Sequence, residues 1–349
     1  MSASDGPFDG QDPFDDEDSY RVFSVEDEDT YELDPDSVSE VKPSLAEVLA
    51  HLEQGERRFA DLLGFSDLDA GGLALLAERW EAIDPALRAT VVHEADDIAR
   101  DNVLLEFSRF FLFASRDEDE AVRLHAVAAL GQPLGDDVEA RLVDVLERDV
   151  SDDVRSRAAS SLSAWAELAA MEELEPDIAK RIETTLFRVA EDEAESWHVR
   201  RRAAESASVF GPSPRVNDLV QRMYDEDEIG LRASAIFAAG RGNQRDWLPT
   251  IIEELGNEDA EIRFEAARAA GYFGDVEALP GLSELAKDDD DIEVRHAAIL
   301  AIGEIGGKGA IRILTRLAES APEADLEIID EALIEASLDS DPLSLDLDP

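Results

Sequence analysis

The stretch Asp291-Ile-Glu-Val-Arg-His-Ala-Ala-Ile-Leu-Ala-Ile-Gly303 decides the fold of this chain, because the chain repeats it. The shared phrase, Asp/Glu-x-x-Val-Arg-x-x-Ala-x-x-Ala-Leu-Gly, returns around Arg123, Arg155, Arg200, Arg232 and Arg263. From Arg123 to Arg295 the successive spacings are 32, 45, 32, 31 and 32 residues, so one unit carries an insertion of 13. Self-similarity at a fixed period of this length means a solenoid. One unit cannot bury its apolar face alone and must stack on its neighbours.

Inside the phrase, Val294, Ala297, Ala298, Ala301, Ile302 and Ile305 keep the spacing of one helix face. Alanine recurs there because neighbouring helices must approach closely. Gly131, Gly211, Gly240, Gly271 and Gly303 are expected at or near helix ends, where a residue of positive φ closes the turn. A second helix is expected after each phrase, over 137–148, 177–190, 215–224, 246–255, 276–286 and 310–318. A last helix over 326–336 starts an incomplete further unit.

Outward from the repeats the pattern changes. Residues 1–42 hold fifteen acids and two bases with few aliphatics, a balance that predicts a disordered acidic arm. Its aromatic island, Tyr20-Arg-Val-Phe-Ser-Val25, reads either as part of a solvated tail or as a short docking motif. Ser44 with Glu47 three residues on forms a capping box ahead of Leu45, Val48, Leu49 and Leu52. Short helices broken at Gly55 and Gly64 make 43–116 an irregular helical capping module. Its last helix, over 103–114, is apolar nearly all round and is expected to be buried. The solenoid then occupies 117–337, and 338–349 form an acidic tail.

The 349 residues include 84 acids against 32 bases, a net charge of −52. Such a charge opposes nucleic-acid binding. At molar salt the screening length falls to roughly 3 Å and self-repulsion fades. With only four lysines and no cysteine, this points to the salt-rich cytoplasm of a halophile. The lack of cysteine removes disulfides, thiolate metal sites and cysteine nucleophiles together. No apolar run reaches about 18 residues and the beginning of the chain is acidic, so neither a membrane span nor a signal peptide is expected.

The Thr-Pro-Leu-His turn of ankyrin units and the Trp/Leu-Gly/Tyr pattern of tetratricopeptide units are missing. The phrase resembles instead the short HEAT-like repeat named after phycobilisome lyases, over about residues 117–335. That resemblance implies an all-α, right-handed α-solenoid, an α-α superhelix of about six HEAT-like repeats behind the irregular N-terminal cap. It also implies a ladder along the stack. Asp119, Asp152, Asp227, Asp259 and Asp291 would cap the following helices, while the six arginines bridge to acids nearby. Two enzyme classes use such repeats. Deoxyhypusine hydroxylases build a di-iron centre from His-Glu dipeptides, but of His51, His93, His125, His198 and His296 only His93 precedes a glutamate. Bilin lyases hold a tetrapyrrole in the concave surface. No phosphate loop appears, since Gly303, Gly306 and Lys308 have the wrong spacing. No cofactor or metal is therefore expected.

In HEAT-type solenoids the second helix of each pair commonly lines the concave face. The scarce positive charge outside the ladder lies there, at Arg141, Arg148, Lys180, Arg181, Arg188, Arg215, Arg222, Arg312 and Arg316. These residues either balance the acids beside them, such as Glu139 and Glu147, or form an electropositive trough for an acidic segment of a protein partner. Trp247 is a candidate aromatic anchor for that trough. The functional expectation is a non-catalytic protein-binding scaffold or adaptor. An accessory enzyme of the lyase or hydroxylase type is the alternative.

Overall fold

A computed structural model describes residues 42–102, 104–132, 137–322 and 325–338. Apart from Lys42 and Leu338, the expected acidic arm with its Tyr20–Val25 island and the expected acidic tail lie outside the described residues. The chain is an all-α solenoid, with no strand among the described residues.

The first helices are α1 (Leu45–Glu53), α2 (Phe59–Leu62), α3 (Ala70–Arg79), α4 (Pro85–Asp101) and α5 (Ser108–Ala114). Ser44 and Glu47 form the capping box at α1, and Val48, Leu49 and Leu52 are buried. The helix expected over 103–114 is shorter than its apolar run. Asn102 takes the Leu104 N–H and Glu106 takes the Ser108 N–H, so side chains occupy the donors a helix would have used. Phe107, Phe110 and Phe111 are still buried, as the pattern requires.

The paired helices follow: α6 (Glu120–Ala129) with α7 (Val138–Arg148), then α8 (Asp152–Ser161). The 13-residue insertion is the extra helix α9 (Ser163–Ala170), and α10 (Pro176–Glu191) completes that unit. Next come α11 (Trp197–Ala207) with α12 (Pro214–Tyr224), and α13 (Ile229–Arg241) with α14 (Leu248–Glu254). The stack ends with α15 (Ala260–Phe273) and α16 (Leu279–Asp288), α17 (Ile292–Ile305) and α18 (Gly307–Ala318), and finally α19 (Leu326–Leu338).

Two layers result. The helices that carry the phrase, α6, α8, α11, α13, α15 and α17, pack on one another in sequence order, with α4 before them and α19 after. The second helices touch their counterparts far less. Three of the phrase glycines explain the close layer: they lie near helix ends as expected, but none of the five takes the positive φ expected there. A Cβ on Gly240 would lie 2.6 Å from Ala269 Cα, one on Gly271 3.1 Å from Ala301 Cα, and one on Gly303 3.0 Å from Ala332 Cα. Each marks a helix crossing where backbones nearly touch. Positive φ falls elsewhere, for example at Gly274, which ends α15.

Candidate interaction surface

The phrase arginines are buried or half-buried and form the expected ladder. Arg123 Nε and Nη2 donate to the two carboxylate oxygens of Asp149 at 2.8 and 3.0 Å, and Nη1 donates to the carbonyls of Asp117 and Glu118. Arg263 repeats this on Asp289 at 2.8 and 2.9 Å and on the carbonyls of Asn257 and Glu258. Arg155 and Arg295 reach back to the carbonyls of Asp149 and Asp289. Each of those aspartates thus joins two units, through its carboxylate on one side and its carbonyl on the other. Burial alone would raise Asp149, yet Arg123 holds its carboxyl below the usual range, and Arg263 does the same for Asp289.

The ladder begins one unit before the phrase does. Arg88 of α4 is buried and pairs with Asp117 at 3.2 Å, while Trp80 Nε1 donates to the same carboxylate at 2.6 Å. Asp84 caps α4 as Asp119 caps α6. The helix Asp84-Pro-Ala-Leu-Arg88 is a degenerate phrase whose proline hid the pattern.

Capping differs in detail from the sequence reading. Asp119, Asp259 and Asp291 accept first-turn N–H groups as expected. At α8 the cap is Ser151 rather than Asp152, because the helix starts one residue earlier. Asp227 caps nothing. The N-cap of α13 is Glu228, whose side chain makes no capping bond.

The nine basic residues proposed as a trough lie on the second helices, and four of them meet carboxylates of the neighbouring unit. Arg181 pairs with Glu139, Arg188 with Glu147 at 2.6 Å, and Arg215 donates to both oxygens of Glu191 at 3.0 Å. Arg222 lies 3.7 Å from the same Glu191. Arg141 is tied to Ser115 and Asp144, and Arg148 also meets Asp144. Among the described residues Lys180, Arg312 and Arg316 make no ion pair. Trp247 corrects the expectation of an aromatic anchor: it is only 6% exposed, its Nε1 donates to Asn217, and its ring meets Tyr224 edge-on. It packs between two units and presents no surface.

The phrase helices are the closer layer of the stack. One stripe of the close layer consists of residues one, two, five and nine places after each phrase arginine. In the middle units these are Arg201, Arg202 and Glu205 on α11, Ser234, Phe237 and Arg241 on α13, and Phe264, Glu265, Arg268 and Tyr272 on α15.

They form one charged and aromatic cluster. Arg202 donates to Glu205 at 3.0 Å, and Ser234 donates to the same carboxylate. Arg268 donates to both oxygens of Glu265 at 3.1 and 3.2 Å while its guanidinium sits 4.7 Å over the Phe237 ring. Arg241 crosses to Ser163 and Glu167 on the inserted helix α9. Phe237 and Tyr272 meet edge-to-face at 6.1 Å. Burial pushes the Glu265 carboxyl up to about 7, despite Arg268 and with help from Glu205. Burial also raises Glu205, but Arg202 and Arg201 outweigh it and hold that carboxyl below its ordinary value.

The stripe was missed because attention fell on the constant positions of the phrase. Its signal lay in the variable ones: arginine, glutamate and aromatics at helical spacing on helices otherwise built from alanine. Elsewhere in this layer the stripe is plainer. His93 and His125 rings lie 5.1 Å apart, and burial together with His93 lowers the His125 value. Glu94, the partner in the sole His-Glu dipeptide, pairs with Arg57. Among the described residues no group of three or more histidine and carboxylate side chains is placed to hold a metal ion. No helix there is long and apolar enough to cross a membrane.

Residues 216–299 and 248–334 match HEAT repeats. Among curated proteins, deoxyhypusine hydroxylase of Saccharomyces cerevisiae is 32% identical over 83 residues, 23% of this chain and 25% of that protein. The bilin biosynthesis protein PecE of Nostoc is 35% identical over 72 residues, 21% of this chain and 28% of that protein. The chain thus spans only about a quarter of the length of these relatives. Among solved structures, the complex of CpcE and CpcF of phycocyanin lyase from Nostoc superposes with a TM-score of 0.50 at 17% identity, covering 75% of this chain and 93% of that one. That likeness concerns the fold. Repeats, layers and ladder together make this chain an all-α solenoid that carries HEAT repeats.

Proposed function

We propose that the protein is a non-catalytic scaffold that takes a protein partner on the stripe of its close helix layer, with molar salt as its working medium. The observation that carries this reading is the cluster of Arg202, Arg241 and Arg268 with the exposed ring of Tyr272 on adjacent units, packed over the buried ring of Phe237. Arginine and aromatic side chains dominate interface energetics, and here they are already held in place by carboxylates and rings. The second-layer arginines are weaker candidates, because most are paired with acids of their own helix or of the neighbouring unit.

The test is retention of a stoichiometric protein partner by the immobilised protein in molar salt, from a lysate of its own cells. Reversing Arg202, Arg241 and Arg268 to Glu is expected to release it while circular dichroism stays helical. The likeness to PecE favours one second reading, an accessory lyase that holds a pigment. Stoichiometric iron or a visible chromophore on the purified protein would overturn the scaffold reading in favour of an enzyme.

A further inference from the structure

Within that surface one guanidinium stands apart. Arg201 on α11 has a side chain 9% exposed, yet no hydrogen bond among the described residues reaches it, and its buried Nε lacks a partner. The nearest carboxylates, Glu205 and Glu261, lie 3.7 and 3.8 Å away, beyond hydrogen-bonding distance. A buried donor left unmade is costly, so a native structure that keeps one invites an acceptor from outside.

The same spot contains a second set of open donors. The first turn of α13 is the N-terminus of a 13-residue helix, and no side chain accepts from its N–H groups. Gly230 in that turn faces Arg201 directly. A Cβ there would lie 2.8 Å from Arg201 Nη1 and 2.7 Å from the Trp197 ring, so only glycine lets these two side chains lie against the first turn of α13. Trp197 forms the apolar wall, with the Arg201 guanidinium 5.6 Å from its ring centroid.

We propose that Arg201 and the open first turn of α13 anchor one carboxylate of an acidic peptide segment, with Trp197 covering the stem of that side chain. This inference deepens the scaffold reading and rests on it for the identity of the partner as a protein. Helix N-termini and arginine forks both favour anions. A single carboxylate suits the site better than a phosphate, because Glu205 and Glu261 stand close enough to repel a second negative charge. The Trp197 ring beside the guanidinium matches the stem of an amino-acid side chain rather than a free ion.

The experiment uses the full chain at molar salt and the peptide acetyl-Leu-Glu-Leu-Glu-Leu-amide, followed by tryptophan fluorescence, beside its glutamine twin. The wild type is expected to prefer the glutamate peptide. Arg201→Gln is expected to weaken that binding by about tenfold or more, the scale of a lost charge-assisted pair. Circular dichroism checks that the variant folds. If it does not, Arg201→Lys, which keeps the charge but loses the fork, is expected to bind several-fold more weakly. Equal binding of the glutamine twin, or no loss in a folded variant, would overturn the anchor. Displacement of the peptide by inorganic phosphate at equal concentration would reassign the site to a free anion. The two readings fail separately. A partner released by reversing Arg202, Arg241 and Arg268 but indifferent to Arg201 leaves the surface and removes the anchor. A peptide that needs Arg201, with no partner retained, does the reverse.

Discussion

Arg123 in the close layer and Arg188 in the open layer make the same chemical pair with a carboxylate, at 2.8 and 2.6 Å, in very different surroundings. Arg123 is buried, forks both oxygens of Asp149 and also satisfies two carbonyls. Arg188 is exposed and makes one contact with Glu147 across the gap between second helices. The short distance is therefore no guide to the energy. In the close layer the pair holds units together, and in the open layer it mainly limits how far the charge of each unit is felt. A function that needs fixed groups belongs on the close layer, and a face that must tolerate solvent belongs on the open one.

The broadest way to break this comparison is to remove the salt. With a net charge of −52, dilution from molar salt to about 0.05 M lengthens screening from roughly 3 Å to somewhat over 10 Å. Cooperative loss of helicity or swelling is expected, led by the open layer, whose helices touch least. Unchanged circular dichroism and radius of gyration across that range would remove the halophile reading.

Within the close layer the largest single loss is expected at Arg123. Arg123→Ala leaves Asp149 buried without its fork and frees two carbonyls, at a cost of about 3–5 kcal/mol. Denaturant unfolding measures it. A loss under about 1 kcal/mol would show that the ladder is decoration rather than the tie between units.

The helix crossings test the same layer through packing. A Cβ on Gly240 meets Ala269 Cα at 2.6 Å, so Gly240→Ala forces α13 and α15 apart. The expected cost is about 1–3 kcal/mol, even though alanine is the better helix former. Stabilisation instead would mean that the two helices have room to separate.

Two kinds of carboxylate in this layer give opposite pH signatures. Asp149 and Asp289 are held below their ordinary values, so their stabilisation is present above that value and is lost as pH falls through the depressed one. Glu265 is raised from 4.5 to about 7, so the folded state holds a proton there that the unfolded state has given up. Between about pH 4.5 and 7 its contribution declines as pH rises, and above that window the penalty is constant. Glu265→Gln is expected to be more stable than wild type at pH 8 by roughly 1–2 kcal/mol, allowing for the lost pair with Arg268, and to show no advantage at pH 4. A pH-independent difference would mean that Glu265 does not titrate in this window.

What could be read from the sequence follows from where repetition constrains chemistry. The period of the phrase made the solenoid legible and its resemblance to HEAT-like repeats implied the ladder, but the carboxylates that Arg123 and Arg263 fork, Asp149 and Asp289, lie outside the phrase and left no mark. The helix crossing at Gly240 was not legible because its partner, Ala269, lies 29 residues away and pairwise approach leaves no local mark. Arg88 was overlooked because Pro85 and a 35-residue spacing to Arg123 disguised the unit. The stripe of Arg201, Arg202, Arg241 and Arg268 escaped for the opposite reason. It occupies the positions that vary, and a reading built on repetition discards variation.

The smallest expected effect separates the layers most clearly. Arg188→Ala removes an exposed ion pair whose entropy and screening costs nearly cancel its Coulomb gain, so stability is expected to change by about 0–0.5 kcal/mol. At molar salt the difference vanishes, because the pair is open to ions on the solvent side. The functional readout follows the same logic. Reversing Arg181, Arg188 and Arg222 to Glu places like charges beside Glu139, Glu147 and Glu191 and repels any acidic partner that seats on the second helices. It leaves the stripe of the close layer untouched. Partner retention is therefore expected to survive this triple reversal and to fail on reversal of Arg202, Arg241 and Arg268. The opposite pattern would move the interaction face to the second helices. The neutralising acids there would then be a latch that an acidic partner displaces, and the fixed cluster of the close layer would be structural.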